Sequence, residues 1–384
     1  MKDTNTKKSW QETLTDHPDY LKPVVENFLQ NVLMEQFKTF IGATEYERTE
    51  ERKGYRNGSY NRQLKTRVGT ISLEVCRDRD GRFRTDLFER YQRSEKALVL
   101  SFIEMYVHGV STRKVSGIIE ELCGIEVSKS QVSNLAKGLD DDIKKWRSRL
   151  LILTYMYLVV DARYEKIREN GHVTSKAFVT IIGITSYGIR EIIGTWVINS
   201  ESFEEWNNCF SELKARGLKN VKYVTSDDNQ GLVGAIKKNF QGALWQRCQV
   251  HFTRNLMGKL ASSIKAEGIK LLQNIFAAES REEAITRKKP LTDFLHSHKK
   301  EAVAEWIETD LEDALAVYDL PKEHWKQMRT TNMVERLNEE LKRRSRVVRI
   351  FPNEASCLRL LTAICMEISE GWANRRYLKE SDKE

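Results

Sequence analysis

One stretch restricts this chain more than any other: Val221 to Phe252, reading VKYVTSDDNQGLVGAIKKNFQGALWQRCQVHF. A short β-type run, Val221 to Thr225, stops at Ser226-Asp227-Asp228-Asn229. A helical segment follows, with Leu232, Val233, Ala235, Ile236 and Phe240 as its apolar positions. Gly242 ends it, and a second apolar run leads into Cys248-x-x-His251. Open α/β sheets carry their chemistry on residues at the carboxyl ends of strands, so the acids here are candidates for it. Upstream lie three more β-type runs: Leu151 to Val160, ending in Asp161, then Ala177 to Thr185 and Glu191 to Ile198. An amphipathic helix from Ser202 to Gly217 presents Phe203, Trp206, Phe210 and Leu213 on one face. The order is strand, strand, strand, helix, strand, helix. Its apolar density indicates a sheet covered on both faces.

The flanks differ in kind. Residues 253–326 are charged, helical and poor in β-type runs, which reads as an all-α insertion with Phe276, Phe294, Trp306 and Trp325 as its large apolar residues. His296 and His298 there have no companion ligands and read as surface or packing residues. From Arg329 the chain is helical through Arg346, and a last amphipathic helix starts near Pro352-Asn353. At the other end, Asp19 to Ala43 has helical spacing. Glu51 to Arg93 then carries twelve Arg and Lys against six Asp and Glu, with turn signals at Asn57-Gly58 and Asp80-Gly81 and an alternating strand from Thr70 to Val75. It is either a solvated hairpin surface or a module that contacts phosphate through cations such as Arg56, Lys65, Arg67, Arg77 and Arg79. Residues 96–145 are helical. Within them, Ser111 to Leu139 reads as two short helices around a turn at Gly124, either an ordinary helical hairpin or a helix-turn-helix. In the second case Ser128, Lys129, Gln131 and Asn134 are the groove-contacting candidates. Asp140-Asp141-Asp142 reads as a solvated helix start, favoured by the helix dipole. The expected divisions are therefore 1–95, 96–145, 150–252, 253–326 and 327–384.

Composition narrows the setting. The 384 residues exceed one ordinary domain. The polar N-terminus does not resemble a signal peptide, and no apolar run has the length of a membrane span. Six cysteines are scattered without C-x-x-C pairs, as expected of reduced intracellular thiols. A formal charge of +8 suits a polyanionic partner as well as it suits many plain enzymes.

Three acids occupy informative places: Asp161 after the first β-run, Asp227 after the fourth, and Glu335 on a helix beyond the insertion. In an RNase H-like sheet the first and fourth strands are neighbours, and a helix beside them supplies a third carboxylate. Three such groups can hold two hard divalent ions, which activate a water or a 3′-hydroxyl on one side of a phosphodiester and stabilise the leaving oxygen on the other. Each acid also has a plain structural reading. Asp161 can simply end a strand, and Asp227 and Asp228 can cap the next helix. Glu335 can close a capping box with Asn332. Spacing alone does not bring the three together.

The residues also carry a family pattern. Tyr55-Arg56-Asn57-Gly58, Leu64 to Gly69 and Arg77-Asp78-Arg79-Asp80-Gly81 form one block; Ser226-Asp227 before Gly231-Leu232 forms a second. Trp245 to Phe252, Arg329 to Asn338, and Arg343-Arg344 through Phe351-Pro352-Asn353 complete it. In this the chain resembles bacterial insertion-sequence transposases of the Mutator type, over nearly its whole length from about Leu21. It departs at Asp228-Asn229, where the family more often has a small residue and His, so either Asp227 or Asp228 can be the site acid; motif register favours Asp227. The resemblance implies an RNase H-like core of mixed sheet and helices with an all-α insertion, preceded by a small basic β-containing module and a helix-turn-helix. It implies a DDE transposase that binds terminal inverted repeats and cleaves DNA with two Mg²⁺ ions, Mn²⁺ substituting, on Asp161, Asp227 and Glu335. The 3′-hydroxyl end is then joined to target DNA. Asp228, Cys248, His251 and Asn338 are supporting candidates. Arg336, Lys342, Arg343, Arg344 and Arg346 join the DNA-contacting set. A homodimer or larger assembly, acting in the bacterial cytoplasm on the nucleoid, is expected. The competing readings are a catalytically silent, transposase-derived DNA-binding protein and another RNase H-like nuclease.

Overall fold

The structure is a computed structural model that describes residues 21–43, 52–66, 68–85, 96–123, 136–373 and 375–379. Of the expected DNA-contacting residues, Arg67, Ser128, Lys129, Gln131 and Asn134 lie outside the described residues, as does the second helix expected after Gly124 up to residue 135; its end, Lys137–Leu139, is a 3-10 turn. The chain divides into two compact units, Met1–Gly138 and Leu139–Glu384.

In the first unit, helix α1 (Leu21–Ile41) lies against an antiparallel hairpin of β1 (Arg56–Thr66) and β2 (Gly69–Asp78). The expected alternation holds on β2: Ile71, Leu73 and Val75 are buried and pack with Leu33 and Leu64. Asn57-Gly58 is not the turn it was expected to be. It lies inside β1, where the register shifts between Arg56 and Ser59 and Gly58 takes φ +69°. A bulge uses the same left-handed backbone as a tight turn, so the dipeptide alone does not separate the two. Asp80-Gly81 does turn, with the Gly81 amide donating to the Asp78 carbonyl at 3.2 Å. Helices α2 (Lys96–Val107) and α3 (Thr112–Cys123) follow in this unit, and Ser111 Oγ accepts from the Lys114 amide at 3.3 Å.

The second unit opens with α4 (Asp140–Ser148), then β3 (Tyr155–Glu169), β4 (His172–Thr185), β5 (Arg190–Ile198), α5 (Phe203–Ala215), β6 (Tyr223–Ser226), α6 (Gln230–Asn239) and β7 (Leu244–Arg247). The five strands form one mixed sheet in the order β5-β4-β3-β6-β7. The first three pair antiparallel, and β6 and β7 join parallel. Leu158, Val160, Val179 and Ile181 pack with Trp206, Phe210, Leu213, Leu232 and Ile236 of α5 and α6 in one buried cluster. Together with Trp196, Phe240 and the rest of this cluster, they give the sheet the apolar cover that its strands' composition demands. Burying an aliphatic side chain of this size contributes about 1.5–3 kcal/mol. The insertion follows: α7 (Gln249–Lys259), α8 (Ser262–Phe276), α9 (Arg281–Thr286), α10 (Lys288–Ser297), α11 (Glu301–Asp310) and α12 (Lys322–Met328). It has its own core around Phe252, Leu272, Ile275, Leu291, Leu295 and Ile307. Two long helices, α13 (Asn332–Ser345) and α14 (Glu354–Trp372), return to the sheet. The result is a mixed sheet flanked by helices, compatible with the RNase H-like arrangement expected. Asp140 is more than a solvated helix start: it receives two hydrogen bonds from buried Arg359, at 2.6 and 2.8 Å. No helix among the described residues is long and apolar enough to cross a membrane.

Candidate active site

Register brings the first two acids together. Strand β6 pairs with β3 over only three positions, the last being Val159 with Thr225. Asp161 and Asp227 each stand two residues beyond that pair, on the same side of the pleat. One pleat earlier on that side, Tyr157 and Tyr223 lie with ring centroids 6.0 Å apart. Asp161 does not end its strand, as the apolar run suggested. It lies inside β3, which continues to Glu169 because β4 keeps pairing with it, from Asp161 opposite Thr180 to Glu169 opposite His172. It stands where β3 loses its parallel neighbour.

Asp227 and Asp228 have different partners. Asp228 pairs with Arg247 at 2.9 Å, and Arg247 also pairs with Asp310 of the insertion at 3.0 Å. The Arg247 guanidinium is buried against the rings of Phe252 and Trp306. Neither acid caps α6: Asn229 does, its Oδ1 accepting from the Leu232 amide at 3.0 Å. Gly231 lets this helix begin against the 201–203 backbone, since a Cβ there would stand 2.5 Å from the Glu201 carbonyl oxygen.

Glu335 lies in the first turn of α13. The capping box open to it does not form: the N-cap is Thr331, without a side-chain cap. Its Oε1 instead accepts from Arg254 Nη1 at 2.8 Å and lies 3.7 Å from His251 Nε2. One turn on, Asn338 Nδ2 donates to Asp161 Oδ2 at 2.8 Å, and the Asn338 carbonyl accepts from Arg163 at 2.8 Å. Helix α13 thus carries one acid and fixes another, at the i and i+3 positions that share a helix face.

The electrostatics record the crowding. Burial pushes the Asp161 carboxyl up to about 7; the charges of Asp227 and Glu335 add to the push, and His251 opposes it. His251 is raised to about 9, chiefly by the Cys248 sulfur beside it, with Asp227 and Asp161 contributing. Its Nδ1 is buried without a hydrogen-bond partner of normal geometry. Burial would raise the Cys248 thiol, but His251 and Thr331 more than offset this and hold it below the ordinary value. Among the described residues no three carboxylate, thiol or imidazole groups close on one point. The donor chemistry still suits a hard divalent ion, because the carboxylates of Asp161, Asp227 and Glu335 are oxygen ligands and a cation would favour the charged form of Asp161 that burial disfavours.

The expected phosphate contacts divide. On α13, Arg336 and Lys342 are exposed, as is Arg346 at its C-cap; Arg343 is exposed but held by Glu340 at 2.6 Å. Arg344 departs from expectation. It is buried and pairs with Glu340 at 2.6 Å and Glu367 at 2.5 Å, so it does not present a cation to solvent. In the other unit Arg56, Arg77 and Arg79 are exposed, Arg77 stacks over Tyr60, and Lys65 is half-buried. Sequence reasoning missed Arg254, Arg163, Arg247 and Thr331. For Arg254 a signal existed, since it follows His251 by three residues on one helix.

Comparison with known proteins identifies a family. A family model described as transposase, Mutator family, matches residues 1–375. A transposase for insertion sequence element ISRM5 from Rhizobium meliloti (strain 1021) is 44% identical over 375 residues, covering 97% of this chain and 94% of the relative. A transposase for IS256 in transposon Tn4001 from Staphylococcus aureus is 44% identical over 353 residues, 91% of this chain and 90% of the relative. A transposase for IS1081 from Mycobacterium tuberculosis (strain ATCC 25618 / H37Rv) is 37% identical over 364 residues, 94% and 88% respectively.

Proposed function

The chain belongs to the Mutator family of transposases, and we propose that it is a DDE-type enzyme. It binds the terminal inverted repeats of its element, cuts DNA with divalent metal ions and joins the 3′-hydroxyl end to target DNA. The observation that carries the reading is the pairing of Val159 with Thr225, which sets Asp161 and Asp227 at equal offsets on neighbouring strands, beside the helix that bears Glu335.

Asp161, Asp227 and Glu335 would hold two Mg²⁺ ions, with Mn²⁺ able to replace them. The ions would supply activation of the attacking hydroxyl or water and stabilisation of the leaving oxygen. The protein's part is orientation and charge. Asn338 fixes the Asp161 carboxylate, and Arg163 fixes the Asn338 backbone. His251 and Arg254 offset the charge of Glu335. Arg336, Lys342 and Arg346 would offer exposed cations to phosphate along α13, and Arg56, Arg77 and Arg79 would do so in the first unit. Bringing two element ends together calls for a dimer or a larger assembly.

The test is cleavage and end-joining with plasmids carrying the element's ends in Mg²⁺, comparing wild type with Asp161→Asn, Asp227→Asn and Glu335→Gln. Loss of both reactions in all three variants, with end binding kept, is expected. Normal cutting by the variants would refute the site. Binding without nicking by the wild type would make it a silent DNA-binding protein, and nicking without joining would make it a nuclease.

A further inference from the structure

Cys248 stands where the insertion leaves the sheet, and Thr331 where the chain returns; both are completely buried. They are 83 positions apart, yet Cys248 Sγ accepts two hydrogen bonds from Thr331, from its backbone amide and from its Oγ1, each at 3.3 Å. That length is ordinary for a sulfur acceptor, whose radius exceeds that of oxygen. Cys248 is also the N-cap of α7, and Thr331 is the N-cap of α13. The Cys248 amide donates to the Ser226 carbonyl at 2.8 Å, one residue before Asp227. Next to it, the Gln249 amide donates to the Arg329 carbonyl at 3.1 Å. One residue therefore links the strand of Asp227 to the start of the helix carrying Glu335. From Thr331 the connection to the acid is rigid, because the Glu335 amide donates to the Thr331 carbonyl at 2.9 Å as the first turn closes.

We propose that Cys248 is a positioning residue for Glu335: its thiol, holding both Thr331 donors, fixes where α13 begins and so where the third carboxylate stands relative to Asp227. The insertion can then vary in its own packing without moving Glu335, because its two ends are clasped below it. Sulfur suits the task, since one acceptor must reach an amide and a hydroxyl together. Serine, with its shorter bond to oxygen, reaches less far.

The inference rests on the reading of Glu335 as a metal ligand, and the experiment keeps the two apart. Mn²⁺ is titrated into full-length Cys248→Ala, Cys248→Ser, Thr331→Val, Thr331→Ser, Glu335→Gln and wild-type protein, with free ion followed by electron paramagnetic resonance. End binding, thermal midpoint and Mg²⁺-dependent cleavage are measured alongside. Expected is a roughly tenfold weakening of Mn²⁺ binding in Cys248→Ala and Thr331→Val, as for other groups that orient metal ligands. The concentration of Mg²⁺ at half-maximal cleavage rises by a similar factor while end binding is unchanged. Thr331→Ser, which keeps the hydroxyl, stays near wild type, and Cys248→Ser falls between. Wild-type Mn²⁺ affinity in both Cys248→Ala and Thr331→Val overturns the clasp. So does a Cys248→Ala variant that loses stability and end binding while Thr331→Val is unaffected, because the thiol is then only core. If Glu335→Gln itself binds Mn²⁺ and cuts normally, the fault lies in the ligand assignment instead.

Discussion

The two ends of α13 carry the same kinds of residues and use them in opposite ways. At its N-terminal end Glu335 joins Asp161 and Asp227, and the opposing charge comes from His251 and an exposed Arg254. At its C-terminal end buried Arg344 is matched by two carboxylates, Glu340 and Glu367, and Arg343 adds to Glu340. In the first group burial, with the charges of Asp227 and Glu335 adding to it, holds a proton on Asp161 up to about pH 7. The second is balanced, and its arginines hold Glu340 down to about 2. The acids at the first end gather around the tip of the central strands, β3 and β6. The balanced ones at the second end hold helices together.

The largest expected effect separates the ends most sharply. Asp161→Asn, Asp227→Asn and Glu335→Gln should each lower cleavage by roughly 10³-fold or more, as removal of an essential group does. The thermal midpoint of Asp161→Asn should hold or rise, because burial disfavours its charge, and that of Glu335→Gln should change little, because its partner Arg254 is exposed. Arg344→Ala should do the reverse. It should cost roughly 2 kcal/mol, below the usual range for breaking a buried pair because Glu340 and Glu367 stay partly in water. A drop of roughly 5 °C in the melting midpoint would report it. An Asp161→Asn protein that melts well below wild type would place this acid among the structural ones.

The pH dependence should also run in opposite senses. Asp161 titrates higher folded, at about 7, than its ordinary value of 3.8, so the folded state binds more protons in that window. Without metal, stability should therefore fall as pH rises from about 4 to 7. His251, raised to about 9, adds stability that is complete below about 6.5 and fades as pH rises towards 9. Glu340 titrates lower folded than unfolded, so its contribution is present above about 4.5 and is lost as pH falls towards 2. Melting curves of metal-free protein across this range should show both limbs. Asp161→Asn should flatten the neutral limb alone and Glu340→Gln the acid limb alone.

Much of the sheet could be read before any coordinates, because buried strands must be apolar and their runs ended near the observed strands. The neighbouring of first and fourth strands was an expectation of the RNase H-like arrangement rather than of the residues, and β3 and β6 do pair. What the residues did not reveal depended on partners far along the chain. The length of β3 past Asp161 is set by β4, and its outer residues are polar enough to pass for a loop. Arg343-Arg344 looks like a phosphate-binding pair until Glu367 is brought against one member. Glu335 could serve equally as a cap or as a site acid, since both need a glutamate in the first turn. The cap does not form, and the carboxylate is turned to Arg254, 81 positions away.

The smallest effect is expected at Asp228, and it tests the comparison within two adjacent residues. Asp228 is the member of the double aspartate held by a cation: its carboxylate pairs with Arg247, and Arg247 keeps Asp310 if that pair is lost. The Asp228 side chain is about one-third exposed, at 34%, so the pair is screened. Asp228→Asn keeps an oxygen to accept from Arg247 and should cost under about 1 kcal/mol. Cleavage should stay within roughly threefold of wild type, against the thousandfold loss expected for Asp227→Asn. The opposite outcome, a dead Asp228→Asn beside an active Asp227→Asn, would move the metal-binding role one residue along. It would also mean that Arg247 releases Asp228 when the site is loaded, in which case Arg247→Met should lose end-joining more than stability.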